Sequence, residues 1–401
     1  MKKNLSLYFH IPFCVKKCIY CDFKSFEKCS TTLMAQYVRA IIDEIKMYSP
    51  FANRYIVKTI YFGGGTPSIL DESMIGEILA AVKDTFTVDR FPEITIEANP
   101  GTIRYNDLLH YLGYGINRIS IGMQSADDNI LKTLGRIHDF NQFLQSYDFA
   151  RRAGFKNISV DIMSGVPGQT IHSFVDTLTR VTEIHPEHIS CYSLQVEEGT
   201  PLASNEELLN LIPDEDTDRK MYTMTKKILE SAGYRRYEIS NYSISGYESR
   251  HNSVYWTGGE YIGFGISAAS FFKGERYTNT TDIERYLTTM SDVKKEMVQG
   301  TDGNLLYEAA SKEIRNDIVI MYINKKIEEF MFLGLRMTEG VNRRIFKERF
   351  GKDMFAVYGK IINNYTSQGF MDYDEEHVWL TDSGIDVSNY ILADFLMDDK
   401  K

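Results

Sequence analysis

The chain has 401 residues, of which 43% are hydrophobic and 25% charged, and it carries a formal net charge of −10. This length suits one large domain with one or two smaller ones, and the acidic balance argues against nucleic-acid binding, which needs clustered Lys and Arg. No apolar run is long enough to span a membrane, and the N-terminal segment turns polar too early for a signal peptide, so we expect a cytoplasmic protein.

Six short β-branched runs alternate with segments of helical periodicity between residue 5 and about residue 196. The predicted strands are LSLYFHI, VKTIYFGG, EITIEANP, INRISIGMQS, ISVDIMSG and HISCYSLQ. Strands that alternate with helices pair in parallel through right-handed crossovers. Because six such units are fewer than the eight of a closed barrel, the sequence predicts an α/β fold with a partial (β/α)6 TIM-type barrel.

The remaining chain changes in character several times. We predict a barrel over residues 1–215, an extension over 216–290 that carries the sequence HNSVYW, a charged insertion over 291–326, and a mainly helical, winged-helix-like domain over 327–401. The last domain contains the basic run NRRIFKERFGK, but acidic residues surround it. A solvated helix face explains that run more simply than DNA binding does.

Three of the five cysteines stand close together near the N-terminus. Cys14, Cys18 and Cys21 form a C-x3-C-x2-C pattern. Cytoplasmic thiols stay reduced, so such a group more often holds a metal or performs chemistry than forms disulfides. A [4Fe-4S] cluster normally takes four thiolates, so three would leave one iron open. The amino and carboxylate groups of S-adenosylmethionine (SAM) could fill that position.

A zinc site is the rival interpretation of the same cysteines. It would need Cys29 or His10 as a fourth ligand, although structural zinc sites usually pair ligands from two separate places in the chain. The fifth cysteine, Cys191, lies inside a predicted strand and is interpreted as a small core residue.

Polar residues follow the predicted strands where the strands end. Glycines 63 to 65 follow the second strand and could let the backbone approach a ligand closely. Glu97, Gln124 and Asp161 end the third, fourth and fifth strands, at the edge where barrels of this type keep their chemistry. Arg136 could pair with a carboxylate.

The HNSVYW segment contains groups suited to a macrocycle with a central metal. His251 could be an axial ligand to heme iron, although a lone histidine is more often structural. Asn252 could orient a ring or a propionate, and Tyr255 and Trp256 could stack on a macrocycle.

Several segments carry a family resemblance that spans nearly the whole chain. The segments YFHIPFCVKKCIYCDF, FGGGTPS, EANPGT, GMQS, LGRIH and VDIMSGVPGQT resemble the oxygen-independent coproporphyrinogen III oxidase group of the radical SAM family, and HNSVYW is similar to the signature of its heme-chaperone (HemW) branch. The resemblance implies a [4Fe-4S] cluster on the three cysteines and SAM contacts from Tyr8, Tyr20, Gly64, Gly65, Thr66, Glu97, Gln124, Arg136 and Asp161. It also implies heme contacts from His251, as iron ligand, and from Asn252, Tyr255 and Trp256.

The expected function is that of a heme chaperone that binds the cluster, SAM and heme and passes heme to an acceptor protein. Whether it cleaves SAM as an enzyme, and whether it forms a homodimer, stay open. Phe23 stands where authentic oxidases of the group carry a further cysteine, which argues against oxidative decarboxylation of coproporphyrinogen III in porphyrin biosynthesis. That oxidase remains one alternative, and a metal-stapled winged-helix regulator is another.

Overall fold

The computed structural model describes residues 2–397, in which strands and helices alternate. The strands in chain order are β1 (Lys3–Ile11), β2 (Phe13–Cys14), β3 (Phe26–Glu27), β4 (Tyr55–Gly64), β5 (Thr87–Ala98), β6 (Arg118–Gln124), β7 (Ile158–Ser164), β8 (His188–Ser193), β9 (Arg235–Arg236), β10 (Asn241–Ser243), β11 (Tyr261–Phe264), β12 (Ala269–Phe272), β13 (Glu275–Asn279), β14 (Arg315–Ile320), β15 (Val341–Asn342), β16 (Met371–Tyr373) and β17 (His377–Leu380).

The helices lie between these strands and in a C-terminal group. In chain order they are α1 (Thr31–Met47), α2 (Ser49–Ala52), α3 (Glu72–Thr85), α4 (Tyr105–Tyr114), α5 (Asp128–Thr133), α6 (Phe140–Ala153), α7 (Ile171–Glu183), α8 (Glu206–Leu209), α9 (Glu215–Ser231), α10 (Arg250–Trp256), α11 (Ile283–Gln299), α12 (Gly303–Ile314), α13 (Ile323–Gly334), α14 (Arg343–Phe350), α15 (Met354–Ser367), α16 (Asp382–Asp386) and α17 (Ser388–Ala393). No helix within residues 2–397 has the length and apolar character needed to cross a bilayer.

A curved sheet of parallel strands forms the centre of the fold. Strands β1, β4, β5, β6, β7 and β8 pair in that order, each parallel to the next. Each of the six predicted strands lies within this series, so the predicted α/β fold with a partial barrel is confirmed. The carboxyl ends of all six strands therefore meet at one rim.

Additional strands extend the sheet at both edges. On one side β11 pairs in parallel with β1 and leads into the antiparallel strands β12, β13 and β14. On the other side β10 and β9 pair antiparallel beyond β8.

The segment predicted as a charged insertion is part of the barrel's flank. Helices α11 and α12 pack against α1 and against each other, and β14 pairs with β13. Val293, Leu306, Tyr307 and Ile314 of this segment are buried in the main hydrophobic core. The charged residues that suggested an insertion are largely on the outer faces of these helices. The domain boundaries at 215, 290 and 326 stay predictions.

The C-terminal region forms a second hydrophobic core. Helices α13 to α17 surround a three-stranded sheet in the order β15, β17, β16, with buried residues from Ile327 to Phe395. Asp382 ties this region to the barrel extension, because it accepts hydrogen bonds from Lys226 at 2.5 Å and from the largely buried Arg236 at 2.6 Å.

A buried carboxylate links the first helix to the extended edge of the sheet. Glu44 of α1 accepts hydrogen bonds from the backbone N–H of Gly265 at 2.8 Å, from Asn279 Nδ2 at 2.8 Å and from the Tyr286 hydroxyl at 2.6 Å. Burial raises the pKa of Glu44 from 4.5 to about 7. Because the folded pKa lies above the unfolded value, its contribution to stability declines as pH rises from about 4.5 to about 7.

Replacement of this carboxylate should destabilise the fold. We expect Glu44→Ala to lower the free energy of unfolding by about 3 kcal/mol, since three buried donors lose their acceptor. Urea unfolding at pH 6 measures the change, and Glu77→Ala, at an exposed position of helix α3, is the matched control. Equal unfolding midpoints for the two variants would contradict this role of Glu44.

Candidate functional site

A cavity of about 540 Å³ opens at the rim where the parallel strands end. It brings together most of the residues that the sequence predicts for the cluster and SAM. These are Cys14, Cys18, Tyr20, Cys21, Gly64, Gly65, Thr66, Glu97, Gln124, Arg136 and Asp161. Of the residues predicted for heme, Asn252 alone lines this cavity within the described chain.

The three cysteines lie on a loop that crosses the rim. Cys14 is buried at the end of β2, whereas Cys18 and Cys21 are partly exposed. The Thr66 hydroxyl donates to Cys14 Sγ at 3.7 Å, and Arg136 Nη1 donates to Cys18 Sγ at 3.4 Å. Burial raises the pKa of the Cys14 and Cys21 thiols. A bound metal cluster would overcome that increase, because coordination deprotonates a thiol outright.

The rival zinc interpretation needs a fourth ligand beside the three thiols. Among residues 2–397, no three His, Cys, Asp or Glu side chains lie close enough together to hold one metal ion. His10 already uses both ring nitrogens, with the Tyr8 hydroxyl at 3.1 Å and the Lys24 carbonyl at 2.9 Å. Cys29 donates weakly to the Glu27 carbonyl at 3.8 Å. A [4Fe-4S] cluster takes one thiolate per iron, so it does not require the three sulfurs to meet at a single metal ion.

The glycines after β4 are required by close backbone packing. Gly64 has a φ of +107°, and a Cβ there would lie 2.5 Å from the His10 ring. A Cβ on Gly65 would lie 2.7 Å from the Phe13 carbonyl oxygen. The N–H groups of Gly64 and Gly65 donate to Glu97 Oε2 at 3.2 Å and to the Ile11 carbonyl at 2.9 Å. These glycines therefore bring the cluster loop onto the strand ends.

Two carboxylates lie in the cavity wall. Glu97 accepts hydrogen bonds from the Tyr61 hydroxyl at 2.7 Å, and burial raises its pKa to about 7. Asp161 accepts hydrogen bonds from the Ser120 hydroxyl at 3.0 Å and 3.1 Å, and burial raises its pKa as well. Both groups can accept hydrogen bonds from a ligand's hydroxyl or ammonium groups.

Arg136 joins the cluster loop to the strand ends. Its Nη2 donates to Asn99 Oδ1 at 2.6 Å and to the Gly122 carbonyl at 2.7 Å, while Nη1 reaches Cys18. The predicted pairing of Arg136 with a carboxylate would therefore compete with contacts that already fix its position. Gln124 ends β6 with a φ of +67°, a left-handed conformation that is uncommon for a residue with a side chain.

Tyr8 lies outside the main cavity. It lines a second cavity, which also includes His10, Phe23 and Tyr255. Tyr20, in contrast, lines the main cavity together with Cys18, and its contact with SAM stays a prediction.

The HNSVYW segment forms the short helix α10, which lies below the rim. The Glu93 carboxylate accepts hydrogen bonds from the backbone N–H groups of Arg250 at 3.0 Å and His251 at 2.8 Å. Glu93 precedes Glu97 by four residues on β5, which places this contact about 13 Å further from the rim along the strand. Asn252 lines the cavity from this side. The helix therefore forms part of the cavity floor.

His251 is enclosed within the barrel. It is 1% exposed, and its Nδ1 and Nε2 atoms lie 2.8 Å from the Thr59 and Tyr255 hydroxyls. Burial lowers its pKa to about 3, so the ring is neutral. A neutral imidazole is the form that binds iron, but binding would require one of these two hydrogen bonds to break.

The four residues predicted for heme do not converge on one pocket. Asn252 faces the main cavity and Tyr255 the second cavity. Trp256 lines a separate groove beside the C-terminal region, where the Arg336 guanidinium lies 4.6 Å from its ring centre.

Arg118, the first residue of β6, is a cavity residue that was not predicted from the sequence. This side chain is 1% exposed and lines the cavity together with Ser120 and Ser190. A signal was present in the sequence, because period-2 alternation in NRISIGMQS places Arg118 and Ser120 on the same face, opposite the apolar Ile119 and Ile121.

Comparison with known proteins identifies the family. The family model of the Radical SAM superfamily matches residues 8–181, and that of the HemN C-terminal domain matches residues 324–387. The heme chaperone HemW of Lactococcus lactis is 33% identical over 401 residues, which are 100% of this chain and 99% of that protein. The chain belongs to the HemW family.

Other comparisons agree with this membership. The heme chaperone HemW of Bacillus subtilis is 31% identical over 98% of this chain and 99% of that protein. The solved structure of coproporphyrinogen III oxidase (HemN) from Escherichia coli, described as a radical SAM enzyme, has a TM-score of 0.82 at 23% identity and covers 99% of this chain and 91% of that chain. That structural likeness shows that this HemW-family chain shares the HemN fold.

The hydrogen bond from Tyr61 should control the ionisation of Glu97. In Tyr61→Phe the charged form of Glu97 loses a donor, so we expect its pKa to rise above the value of about 7 that it has in this structure. Infrared difference spectra of the protonated carboxyl group as a function of pH measure the change. Tyr192→Phe, which alters another cavity-lining tyrosine, should leave the Glu97 pKa unchanged. An equal pKa in both variants would contradict the assignment.

Proposed function

We propose that this HemW-family protein is a cytoplasmic heme chaperone that carries a [4Fe-4S] cluster and SAM, binds heme and passes it to an acceptor protein. The observation that carries the proposal is that three thiols line one cavity together with charged and polar side chains from the carboxyl ends of the barrel strands. Family membership supplies the heme part, because the curated relatives are named heme chaperones.

The residues around the thiols fit an iron–sulfur cluster. Thr66 and Arg136 donate hydrogen bonds to two of the three sulfurs. Such hydrogen bonds to ligating sulfurs stabilise the thiolate charge and adjust the reduction potential of a cluster. The cationic guanidinium of Arg136 also offsets the negative charge of the thiolates. When bound, the cluster would supply an open iron site and an electron for the SAM sulfonium.

The cavity below the thiols fits SAM. Glu97 and Asp161 present acceptors for ribose hydroxyls or the amino group, and Tyr20 offers an aromatic face near the cluster loop. Negative charge at Glu97 would also favour the cationic sulfonium. Since its pKa is about 7, we expect SAM affinity to increase as pH rises through that value.

The heme part of the proposal rests on the HNSVYW segment as a whole. Asn252 lines the cavity directly. Both ring nitrogens of His251, in contrast, are hydrogen-bonded to protein hydroxyls. Heme ligation by His251 therefore requires that α10 or the Tyr255 side chain move. A site that changes conformation when heme binds would suit a protein that later passes heme to an acceptor protein.

Coproporphyrinogen III oxidase activity is the alternative, favoured by the shared fold with HemN. Phe23 is 63% exposed at the position where the oxidases carry a cysteine. The chain therefore presents an apolar ring near the cavity mouth where an oxidase would present a thiol. Formation of protoporphyrinogen IX in an anaerobic assay would favour the oxidase over the chaperone.

Replacement of single cysteines tests the cluster. Cys14→Ser, Cys18→Ser and Cys21→Ser should each abolish most of the iron and sulfide bound after anaerobic reconstitution, because a site with two thiolates cannot hold the cluster firmly. Cys29→Ser and Cys191→Ser are the controls and should retain the wild-type iron content. Iron and sulfide analysis with electron paramagnetic resonance, with and without SAM, measures the result.

Two outcomes would contradict the cluster assignment. One is zinc at one atom per chain with no bound iron. The other is equal loss of iron in Cys29→Ser and in the variants of the three loop cysteines.

Heme titration tests whether the protein binds heme and which residue is the iron ligand. Wild-type protein should shift the Soret band of hemin, and His251→Ala should lose or alter that shift if the imidazole is the iron ligand. His172→Ala, at an exposed position of α7, is the control. A wild-type spectrum in His251→Ala would assign the iron to another residue, and no shift in wild-type protein would contradict the chaperone proposal.

A further inference from the structure

Arg118 is a buried cation without a counterion of its own. It is 1% exposed, and its Nε has no hydrogen-bond partner within the part of the chain that the structure describes. No carboxylate among residues 2–397 lies within 4.0 Å of its guanidinium. Burial of an unpaired charge is costly, so such a group is seldom kept in a protein interior without a ligand or partner.

The carboxylates near Arg118 are already occupied. Glu97 accepts hydrogen bonds from Tyr61 and from Gly64, and Asp161 accepts them from Ser120 and from Ser159. Both feel the positive charge of Arg118, but neither forms an ion pair with it. Within the described chain, the Arg118 guanidinium therefore donates to no carboxylate, and its donors are available to a ligand.

The other titratable groups around Arg118 cannot serve as its anion. His188 and His251 are held neutral by burial, and their ring nitrogens are hydrogen-bonded to Ser159 and Tyr237 and to Thr59 and Tyr255, respectively.

The position of Arg118 indicates where in the cavity an anionic group of a ligand would lie. Arg118 lines the same cavity as Glu97 and Asp161. It is the first residue of β6, and Gln124, the last residue of that strand, lies at the rim, so the Arg118 backbone lies deep in the barrel. Ser120, Ser190 and Asn252 line the wall around it. A carboxylate that reached this depth would meet the guanidinium, whose planar fork suits bidentate recognition, and the Asn252 amide.

We propose that Arg118 binds a carboxylate of the molecule that shares the cavity with SAM. The inference rests on the proposed function, in which that molecule is heme and the carboxylate is one of its propionates. Arg118 then distinguishes a tetrapyrrole with free propionates from one whose propionates are blocked.

The test compares hemin with hemin dimethyl ester on anaerobically reconstituted protein. For wild-type protein we expect affinity for hemin to exceed that for the ester by roughly tenfold or more, because the ester cannot form the charge-assisted hydrogen bonds. Arg118→Gln should reduce this preference to about twofold or less and leave ester affinity nearly unchanged. Arg118→Lys, which keeps the charge without the planar fork, should retain part of the preference.

Iron content and SAM affinity show whether the variants keep the site intact. Iron content should match the wild-type value in Arg118→Lys and in Arg118→Gln, and SAM affinity should match it in Arg118→Lys, which keeps the positive charge that lowers the pKa of Glu97. If Arg118→Gln fails to fold, the hemin-to-ester ratio of Arg118→Lys decides, and a ratio equal to that of wild type overturns the proposal.

The remaining outcomes separate the two proposals. If wild-type protein binds neither hemin nor its ester, the proposed heme-chaperone function fails, and the propionate assignment fails with it. If both bind wild-type protein equally well, or if Arg118→Gln weakens both to the same extent, the Arg118 assignment alone is overturned. A loss of SAM affinity in Arg118→Gln without a change in the hemin-to-ester ratio would assign the guanidinium to SAM and also overturn the proposal.

Discussion

The parallel pairing of six strands determines what the rest of this molecule can do. Because the strands run in the same direction and curve into a partial barrel, alternate side chains of every strand point into one shared interior. Here that interior is polar well below the rim, with Thr59, Arg118, Ser120, Asp161 and His188 on four different strands. A barrel filled only for stability would carry branched apolar side chains at these positions. The polar lining indicates that the interior receives ligands.

Local patterns in the sequence were sufficient to predict the barrel strands and the polar residues at the rim. Strand alternation and helical periodicity are local properties, and each of the six predicted strands is present. The cysteine spacing and the polar residues at the strand ends were also informative, because parallel topology places all strand ends together. These residues line one cavity, as the topology requires.

The same local patterns could not predict contacts between segments that are distant in the sequence. His251 is enclosed by Thr59, which lies 192 residues earlier in the chain, and no local pattern encodes that contact. The charge of residues 291–326 likewise suggested an insertion, although their apolar residues complete the core on α1. Arg118 was overlooked because a single charge within an apolar strand is not informative until the strand's inner face is known to line a cavity.

The HNSVYW helix connects the two parts of the molecule. Its amino end is held by Glu93 at the barrel floor, and Asn252 faces the cavity. Its carboxyl end carries Trp256, which stacks with Arg336 and lines the groove beside the C-terminal region, and α10 packs against α13. A short helix fixed at both ends transmits a shift as a rigid unit. If α10 moved as a unit to free His251, the contact between Trp256 and Arg336 would be displaced with it, whereas rotation of the Tyr255 side chain alone would leave that contact in place.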